Sequence, residues 1–361
     1  GCASFLRMEV RPGRAPGRCR ALVVVALLAA GAACAPSASR PVTPSNLLLI
    51  TLDTLRADHL GCYGYPRPTT PALDRFAATA ARFGDVTCSM PTTLPSHLTI
   101  FTGLPPQLHG VTRNGQVQES YPPSIFDRLA ASGARTAAIV SAGVVDARFV
   151  QRLGFEEVIF DRPDANVFQV GAEVVSDNAV SWLERHRGER FALWLHYYDP
   201  HEPYDPPAEA AARFTGDYGG ELPDALSTEW LVGLNDPAAD AALSAADRQH
   251  VIDLYDAEVA VLDAALGRVL AALPELGLDR TTLVVIVGDH GQAHGESSFW
   301  GHGERLLEPV IKVPLLVHLP GQSEGRVVSA AVETLDLMPS LLEWFDLEPI
   351  ASLPGRALAG A

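Results

Sequence analysis

The sequence predicts an α/β protein in which a mostly parallel β-sheet is sandwiched between helices. Short, continuous apolar runs alternate with longer stretches of helical periodicity from residue 46 onward. Such runs are typical of strands covered on both faces, and their alternation with helices is typical of parallel β-α-β units. The chain has 361 residues, of which 47% are hydrophobic and 19% are charged. This composition supports a large core and excludes a disordered tail protein, a coiled coil and a collagen-like fibre.

The apolar runs are the strand candidates, and the stretches between them are the helix candidates. The strands are predicted at 47–52, 136–140, 191–197, 282–287 and 315–319. The helices are predicted at 71–82, 124–132, 171–187, 238–273 and 335–345. Pro274 and Gly277 supply a stop signal for the longest helix. Ligands of such sheets gather at the carboxyl ends of the strands, so the residues that directly follow each strand are functional candidates.

Residues 1–45 predict an export signal followed by a tether. Five arginines precede the apolar run 21–30, which leads into small residues and Cys34. This order of basic, apolar and small-residue segments is typical of a cleaved leader, and the run is too short for a membrane span. Cys34 favours a lipoprotein site over a plain signal peptide or a single anchor. We therefore expect export to the periplasm or cell envelope, contact with the membrane through a lipid anchor or the signal only, and a folded domain over 46–361.

Charge and cysteine usage narrow the functional classes. The formal net charge is −16, which excludes a nucleic-acid binder because such proteins present basic surfaces to phosphates. Lys312 is the only lysine, so a cationic site elsewhere has to use Arg or His. Cys62 and Cys88 are the only cysteines of the folded part. They could pair in an exported protein, but two cysteines form neither a disulfide framework nor a metal site.

Acidic residues and histidines follow three of the predicted strands. Asp53 follows the first strand, and Asp199 and His201 follow the third. Asp289 and His290 follow the fourth strand, between two glycines. A single Asp after a strand is usually a helix cap, but an Asp-His pair together with two further acidic strand ends is hard to explain as capping. Because oxygen and imidazole ligands together suit a divalent cation, the sequence predicts a metal site at this edge of the sheet.

Thr93 stands just ahead of a predicted short helix whose first turn contains Pro95. The N-terminus of a helix directs its backbone N–H groups and the positive end of its dipole at a bound anion. A hydroxyl at such a position is most often only a cap. Beside a metal ion, however, the Thr93 hydroxyl would have a lowered pKa and could act as a nucleophile.

Several segments resemble, in order, the sulfatase family of the alkaline phosphatase superfamily. They are 46–65, 91–111, 199–204, 288–290 and 301–316, and the resemblance covers nearly everything from residue 46 onward. The most specific stretch is Thr-Leu-Pro-Ser-His from Thr93, followed by Thr-Gly, which is similar to the C-x-P-S-R…TG sulfatase signature. The resemblance implies the fold predicted above and one divalent metal ion. The implied ligands are Asp53, Thr93, Asp289 and His290.

This sequence departs from the family pattern at its functional positions. Thr93 stands where the family has a Cys or Ser that is oxidised to formylglycine, a conversion that threonine cannot undergo. His97 replaces the signature Arg, and Thr54 replaces the second Asp of the usual first motif pair. His302 stands near the position where a catalytic Lys is expected. A threonine nucleophile on one metal is more similar to the superfamily's phosphodiesterases and phosphoethanolamine transferases.

The resemblance also suggests which residues contact the substrate. His201 or His302 would protonate the leaving group, and His97 would hold oxyanion charge on the substrate. Asn114 precedes Gly115 in a predicted tight turn and could equally hydrogen-bond an ester oxygen. The family's smaller C-terminal subdomain would begin about where this chain stops, so we expect it to be missing or truncated.

Four further residues near these motifs are predicted to orient or pack against other residues and not to take part in the reaction. Arg56 and Asp58 are expected to orient the first metal loop. His196, inside an apolar strand, and Tyr255, on the longest helix, are predicted to be packing residues.

The sequence therefore predicts a metal-dependent hydrolase of sulfate esters or, because of the threonine nucleophile, phosphate esters. The alternatives are a phosphoethanolamine-type transferase or phosphodiesterase, and a non-catalytic surface lipoprotein that binds anionic glycans. The metal would be Ca²⁺ if the site is sulfatase-like, and Zn²⁺ or Mn²⁺ if it is phosphotransfer-like. The substrate would be a small-molecule, glycan or lipid ester. Retention of the three principal metal positions argues against the non-catalytic alternative.

Overall fold

The structure of the chain is a computed structural model that describes residues 43–358. The predicted leader and Cys34 lie outside the described residues, so export and lipid attachment stay predictions. Within the described range, no helix combines the length and the hydropathy that crossing a membrane requires.

A central sheet of eight strands organises these residues. In chain order its strands are β1 (Asn46–Leu52), β2 (Ala81–Thr87), β3 (Arg135–Val140), β4 (Glu157–Ile159), β5 (Phe191–Tyr197), β6 (Thr282–Gly288), β9 (Leu315–His318) and β10 (Arg326–Glu333). A separate hairpin consists of β7 (Ala293–His294) and β8 (Trp300–Gly301). The order across the sheet is β10-β2-β9-β6-β1-β5-β3-β4. Strand β9 runs antiparallel to both neighbours and the other pairs are parallel, which confirms the predicted mostly parallel sheet.

Helices cover both faces of the sheet. In chain order they are α1 (Pro71–Ala77), α2 (Thr93–Thr102), α3 (Pro106–His109), α4 (Ile125–Ala131), α5 (Ala147–Val150), α6 (Ala172–His186), α7 (Ala208–Thr215), α8 (Thr228–Gly233), α9 (Pro237–Ala242), α10 (Ala245–Glu275), α11 (Glu308–Ile311) and α12 (Leu337–Trp344). Apolar side chains of α2, α4 and α12 enter one core. Those of α1, α6 and α10 enter the core on the opposite face.

Alternate side chains of β1 enter these two cores. Leu47 and Leu49 pack in the core that contains Trp194, whereas Leu48 packs in the core that contains Trp182. Every residue of β1 is buried, as expected for a central strand covered on both faces. Each fully buried leucine stabilises the fold by about 1.5–3 kcal/mol, so the centre of the sheet is a rigid base for the residues at its edge.

The predicted helix 71–82 is wrong beyond Ala77. Helix α1 ends there, and the chain enters β2 at Ala81, where it pairs with β9 and β10. Polar residues interrupt β2, and most side chains of β10 are exposed. Continuous apolar runs are typical of strands covered on both faces, and strands β2 and β10 lack this pattern because they are partly exposed.

The predicted helix 238–273 is two helices. Helix α9 ends at Ala242 and α10 begins at Ala245, because Ser244 and Asp247 form a capping box that starts a new helix. Helix α10 then continues to Glu275, so Pro274 lies in its last turn rather than beyond its end.

Cys62 and Cys88 are both free thiols, so the pairing that the sequence left open does not form. Burial raises the pKa of Cys62 to about 12, and the nearby Asp74 carboxylate adds to this shift. Both factors keep the Cys62 thiol protonated and unreactive at neutral pH.

Candidate active site

Two parallel strands bring three predicted ligands to one edge of the sheet. Asp53 directly follows β1, and Asp289 and His290 directly follow β6. Strands β1 and β6 are neighbours, and Leu52 is aligned with Gly288 at their ends. Since neighbouring parallel strands end at the same edge, the residues just beyond them come together.

His290 lies between the two carboxylates. Its Nε2 is 3.6 Å from Asp53 Oδ1 and 3.5 Å from Asp289 Oδ2. Thr93 Oγ1 lies 3.3 Å from the same nitrogen. All four residues are buried. The structure therefore brings together the four residues that the sequence suggested as metal ligands.

The two carboxylates have the features of a cation site. Asp53 Oδ1 and Asp289 Oδ2 are buried, and neither has a hydrogen-bond partner. A buried carboxylate oxygen without a partner is unfavourable unless a positive charge faces it. Together with the imidazole nitrogen of His290 and the hydroxyl of Thr93, these oxygens form a donor set that fits a divalent cation.

The pKa values of the same carboxyl groups are shifted in opposite directions. Burial, and then the neighbouring Asp53, raise the pKa of Asp289 well above its ordinary value. Burial also opposes ionisation of Asp53, but the hydrogen bond with His196 and the nearby His290 hold the pKa of Asp53 below its ordinary value. Two carboxyl groups that share a site ionise in separate steps. A divalent cation between them would allow both to be ionised at neutral pH.

The glycines on each side of the Asp-His pair allow other segments to approach it closely. A side chain at residue Gly291 would place its Cβ 2.0 Å from the carbonyl oxygen of Pro309. A Cβ at Gly288 would lie 2.9 Å from Cδ of Pro314. The loop after β6 is thus packed against the segment 309–314, and only glycine fits at these two contacts.

Thr93 occupies the first turn of α2, not the position ahead of it that the sequence suggested. Helix α2 begins at Thr93, and Thr92 is its N-cap residue. Ser96 Oγ donates a hydrogen bond to the carbonyl oxygen of Asp289 at 2.7 Å, which joins α2 to the loop after β6. The N-terminus of α2, with the positive end of its dipole, therefore lies at the carboxylate site.

Asn114 contacts the same end of α2. The Leu94 N–H donates to Asn114 Oδ1 at 2.9 Å. Asn114 is exposed, and Gly115 follows it with a φ of 77°, as the predicted tight turn requires. Asn114 thus lies in the predicted turn and beside the start of α2, and its contact with a substrate stays a prediction.

His97 does not have the contacts expected of a substrate-binding residue. Its ring is fully buried and packs on Trp194, with centroids 5.2 Å apart. Nδ1 lies 2.7 Å from the carbonyl oxygen of Thr93, and Nε2 lies 2.9 Å from Thr51 Oγ1. Burial lowers the pKa of His97 to about 3, so the ring is neutral and both nitrogens are engaged within the protein. His97 is therefore not placed to hold oxyanion charge on a substrate, as the sequence suggested. Its ring instead hydrogen-bonds the backbone of Thr93 from inside the core.

His201 and His302 form a pair beside this cluster. Their Nε2 atoms are 3.0 Å apart, so one hydrogen can lie between them. The ring of His302 stacks on that of His290 with centroids 4.4 Å apart, and the ring of His201 stacks on Tyr198 at 4.2 Å. Burial, and then the adjacent His201, lower the pKa of His302. Together with Glu202, the two histidines also form a second group whose atoms lie close enough to hold a cation.

Arg56 joins the two ligand loops. Its guanidinium donates to Asp58, to the carbonyl oxygen of Gln292 at 3.2 Å and to Glu296 Oε1 at 2.6 Å. Because Arg56 follows β1 whereas Gln292 and Glu296 follow β6, these bonds connect the loop of Asp53 with that of His290. They are the contacts that the predicted orienting role of Arg56 and Asp58 requires.

Two residues that the sequence suggested as packing residues hydrogen-bond this site. His196 Nε2 lies 3.3 Å from Asp53 Oδ2. The hydroxyl of Tyr255 bonds to the backbone of Thr54 and Arg56. In the sequence, the one indication of a role for His196 is that a polar residue stands near the end of an apolar strand. Its contact with Asp53 depends on the pairing of β5 with β1. For Tyr255 we find no local signal in the sequence.

One family model and several known proteins match most of this chain. The family model described as Sulfatase matches residues 45–347. The uncharacterized sulfatase YidJ of Escherichia coli K12 is 24% identical over 356 residues, which are 86% of this chain and 70% of that protein. An arylsulfatase of Clostridium perfringens is 23% identical over 377 residues, which cover 87% of this chain and 77% of that protein.

Solved structures show the same fold. BT4656, solved with its substrate D-glucosamine-2-N,6-O-disulfate, superimposes with a TM-score of 0.73 at 20% identity and covers 88% of this chain and 79% of that one. A phosphonate monoester hydrolase of Agrobacterium radiobacter superimposes with a TM-score of 0.67, also at 20% identity, and covers 88% and 76%. The predicted architecture of an alkaline-phosphatase or sulfatase-like fold is thus confirmed.

Proposed function

The chain belongs to the sulfatase family, and from this premise we propose that it is a metal-dependent hydrolase that cleaves a sulfate or phosphate ester with Thr93 as its nucleophile. One observation carries the proposal. The buried, unpartnered oxygens of Asp53 and Asp289 face His290 Nε2 beside the Thr93 hydroxyl. A hydroxyl at a cation site can attack an ester whose negative charge the cation holds.

The residues proposed to hold one divalent cation are Asp53, Thr93, Asp289 and His290. When bound, the cation would withdraw charge from the ester oxygens and lower the pKa of the Thr93 hydroxyl. The donor set includes an imidazole nitrogen, which Zn²⁺ and Mn²⁺ accept more readily than Ca²⁺ does. We therefore propose Zn²⁺ or Mn²⁺ ahead of Ca²⁺.

Thr93 would form a covalent ester in the first step. Its Oγ1 forms a bond to sulfur or phosphorus while the bond to the leaving alcohol oxygen breaks, and the hydroxyl proton passes to water. At the start of α2, the Leu94 and Ser96 N–H groups are engaged by Asn114 and Thr92, and Pro95 has no N–H. We therefore propose the Thr93 N–H and the NH₂ group of Asn114 as donors to the substrate oxygens. Water then hydrolyses the Thr93 ester, which restores the hydroxyl and releases sulfate from a sulfate monoester, or a phosphate monoester from a phosphate diester.

His201 and His302 are proposed to protonate the leaving oxygen. Their Nε2 atoms are 3.0 Å apart, so one hydrogen can lie between them, next to the stacked ring of His290. Since burial favours the neutral form of His302, the pair readily gives up a proton that it acquires. The substrate oxygen that leaves as an alcohol would face this pair.

The charge of the site favours a singly charged ester. Within residues 43–358, no Lys or Arg side chain bonds to Thr93 or to the Asp53, Asp289 and His290 cluster. Lys312 pairs instead with Asp85. The charges of two carboxylates and a divalent cation cancel, so no excess positive charge remains for a dianion. We therefore propose a sulfate monoester or a phosphate diester ahead of a doubly charged phosphate monoester.

A phosphoethanolamine-type transferase is the second candidate, whereas a phosphodiesterase is included in the hydrolase proposed above. Thr93 replaces the residue that sulfatases convert to formylglycine, and this observation favours phosphate over sulfate chemistry. A transferase would pass the group from Thr93 to an acceptor alcohol instead of water. The same active-site residues serve both candidates, so the nature of the acceptor distinguishes them.

The test compares three substrates and two threonine variants. The chain loaded with Mn²⁺ or Zn²⁺ is assayed on 4-nitrophenyl sulfate, 4-nitrophenyl phosphate and bis(4-nitrophenyl) phosphate. Thr93→Ala is expected to lose at least about a thousandfold in kcat/KM because the attacking atom is removed, whereas Thr93→Ser keeps part of the activity. Intact mass after a substrate pulse should show the transferred group on the peptide that contains Thr93.

Thr92→Ala is the matched control. Thr92 is the adjacent residue, and its side chain makes no capping hydrogen bond. Its replacement should leave kcat/KM within about threefold of the unsubstituted chain. Full activity of Thr93→Ala on any of the three esters would overturn the assignment of the nucleophile.

A further inference from the structure

The residue after Asp53 has a strained backbone. Thr54 has a φ of 53°, in the left-handed region that β-branched residues rarely adopt. Its side chain is fully buried, and Oγ1 has no hydrogen-bond partner. Neither the residue type nor a side-chain hydrogen bond favours this conformation, so neighbouring groups must hold it.

The hydroxyl of Tyr255 makes the contacts that span this turn. It donates to the carbonyl oxygen of Thr54 at 2.9 Å and accepts from the N–H of Arg56 at 3.0 Å. Both backbone groups lie within three residues of Asp53, whereas Tyr255 lies in the middle of α10. Burial raises the pKa of Tyr255 far above its ordinary value, so the hydroxyl keeps the hydrogen that it donates.

Tyr255 is itself held firmly in place. Its side chain is fully buried, and its ring packs edge-on against His59 and His294 with centroids 5.0 and 4.5 Å apart. His294 in turn lies 3.3 Å from the hydroxyl of Tyr204 and 3.4 Å from Nη1 of Arg56. The Tyr255 hydroxyl therefore has little freedom to move, and the turn bonded to it has little freedom either.

We infer that Tyr255 is a positioning residue of the proposed cation site. It holds the turn from Asp53 to Arg56 so that the Asp53 carboxylate faces His290 without rearrangement. Groups that orient metal ligands in this way commonly change metal affinity by about 10–100-fold when they are removed. The inference rests on the proposed function, since it assumes that Asp53 binds a cation.

The test is the affinity of the full chain for Mn²⁺, measured by calorimetric titration after removal of metals with a chelator. Tyr255→Phe removes only the hydroxyl and is expected to raise the Kd for Mn²⁺ by about tenfold or more. At saturating Mn²⁺, activity should return to within about threefold of the unsubstituted chain. Because Mn²⁺ also stabilises the folded state by mass action, the control variant Tyr63→Phe separates this effect from a general loss of stability.

Tyr63→Phe is the matched control. The Tyr63 hydroxyl also links backbone groups, since it donates to the carbonyl oxygen of Phe83 at 2.9 Å and accepts from the N–H of Leu315 at 2.9 Å. These bonds lie between β2 and β9 and do not touch the loop of Asp53. Tyr63→Phe should lower thermal stability as well, yet leave the Kd for Mn²⁺ within about twofold.

A second pair of variants tests the strain itself. Glycine adopts the left-handed conformation freely, so Thr54→Gly should remove the need for the Tyr255 hydroxyl. Adding Tyr255→Phe to Thr54→Gly should then change the Kd by about threefold at most. This pair replaces the single variant if Tyr255→Phe is too unstable to titrate.

The outcomes distinguish the inference from the function on which it rests. An unchanged Kd in Tyr255→Phe, or a tenfold weaker Kd on adding it to Thr54→Gly, would overturn the inference alone. Absence of Mn²⁺ binding by the unsubstituted chain, with no binding of Zn²⁺ or Ca²⁺ either, would overturn the proposed function and this inference together.

Discussion

The buried histidines show how burial determines protonation at single residues. Burial lowers the pKa of His109 to about 4, in the same direction as that of His97. The Val111 N–H donates to His109 Nδ1 at 3.2 Å, so the ring hydrogen is on Nε2, which lies 3.2 Å from Thr99 Oγ1. This pattern suits only the neutral ring, because a second ring hydrogen would remove the acceptor for Val111.

We predict that His109 makes the protein less stable as pH falls below 6.5. The ordinary pKa of 6.5 applies to the unfolded chain, whereas His109 in the folded chain has a pKa of about 4. Between these values the unfolded state binds more protons, so the free energy of unfolding falls, on the order of 3 kcal/mol by pH 4. His109→Gln should therefore show a shallower fall than the unsubstituted chain in urea unfolding between pH 7.5 and 4. An equal slope would contradict this prediction, and His186→Gln, at the end of α6, is the control.

At the scale of elements, the site is built where the ends of β1 and β6 meet the start of α2. The sheet aligns Asp53 with the Asp289 loop, and Ser96 joins α2 to that loop. The loop after β6 is held against the segment before β9, where Gly291 lies against Pro309. The position of His290 therefore depends on how closely two backbone segments approach.

Gly291→Ala is expected to displace the loop of His290. The new Cβ would lie 2.0 Å from the carbonyl oxygen of Pro309, a backbone atom that cannot turn away. Such overpacking costs about 1–3 kcal/mol, and we expect both a lower thermal midpoint and a loss of activity of at least about tenfold. Gly188→Ala, where no atom lies within 4 Å of the added Cβ, should change neither. Equal behaviour of the two variants in thermal unfolding and in the assay would refute this account of Gly291.

For the molecule as a whole, the proposed cation site joins the centre of the sheet to both helical layers. Asp53 and Asp289 follow central strands, Thr93 lies on a helix of one layer, and Tyr255 lies on a helix of the other. Cation binding at this point would connect elements that are far apart in the chain. It should therefore stabilise the whole fold against unfolding.

Removal of the metal is predicted to lower the thermal midpoint of the unsubstituted chain. A cation at about one hundred times its Kd stabilises the folded state by about 2.7 kcal/mol, because it binds the folded chain alone. In Asp289→Ala, adding Mn²⁺ after chelation should produce little or no increase in the thermal midpoint. Asp279→Ala, an exposed residue beyond α10, should respond like the unsubstituted chain. The site assignment fails if Asp289→Ala is stabilised by Mn²⁺ to the same extent.

Local sequence was sufficient for the strands that are covered on both faces and for the residues that follow them. Strands β1, β5 and β6 are continuous apolar runs because both of their faces are buried, and Asp53, Asp289 and His290 follow them directly. The signature around Thr93 likewise depends on neighbours in the chain. Strands β2 and β10 and the break before α10 were missed, since partly exposed strands and a capping box leave no continuous apolar pattern.

Tertiary structure alone decided which buried polar residues serve the site. The hydroxyl of Tyr255 reaches Thr54 across 201 positions of the chain, and His196 reaches Asp53 only because β5 is paired with β1. The two ring nitrogens of His97 hydrogen-bond the carbonyl oxygen of Thr93 and the hydroxyl of Thr51 in β1. These contacts depend on strand order and register, which arise from the packing of distant segments and not from the preferences of neighbouring residues.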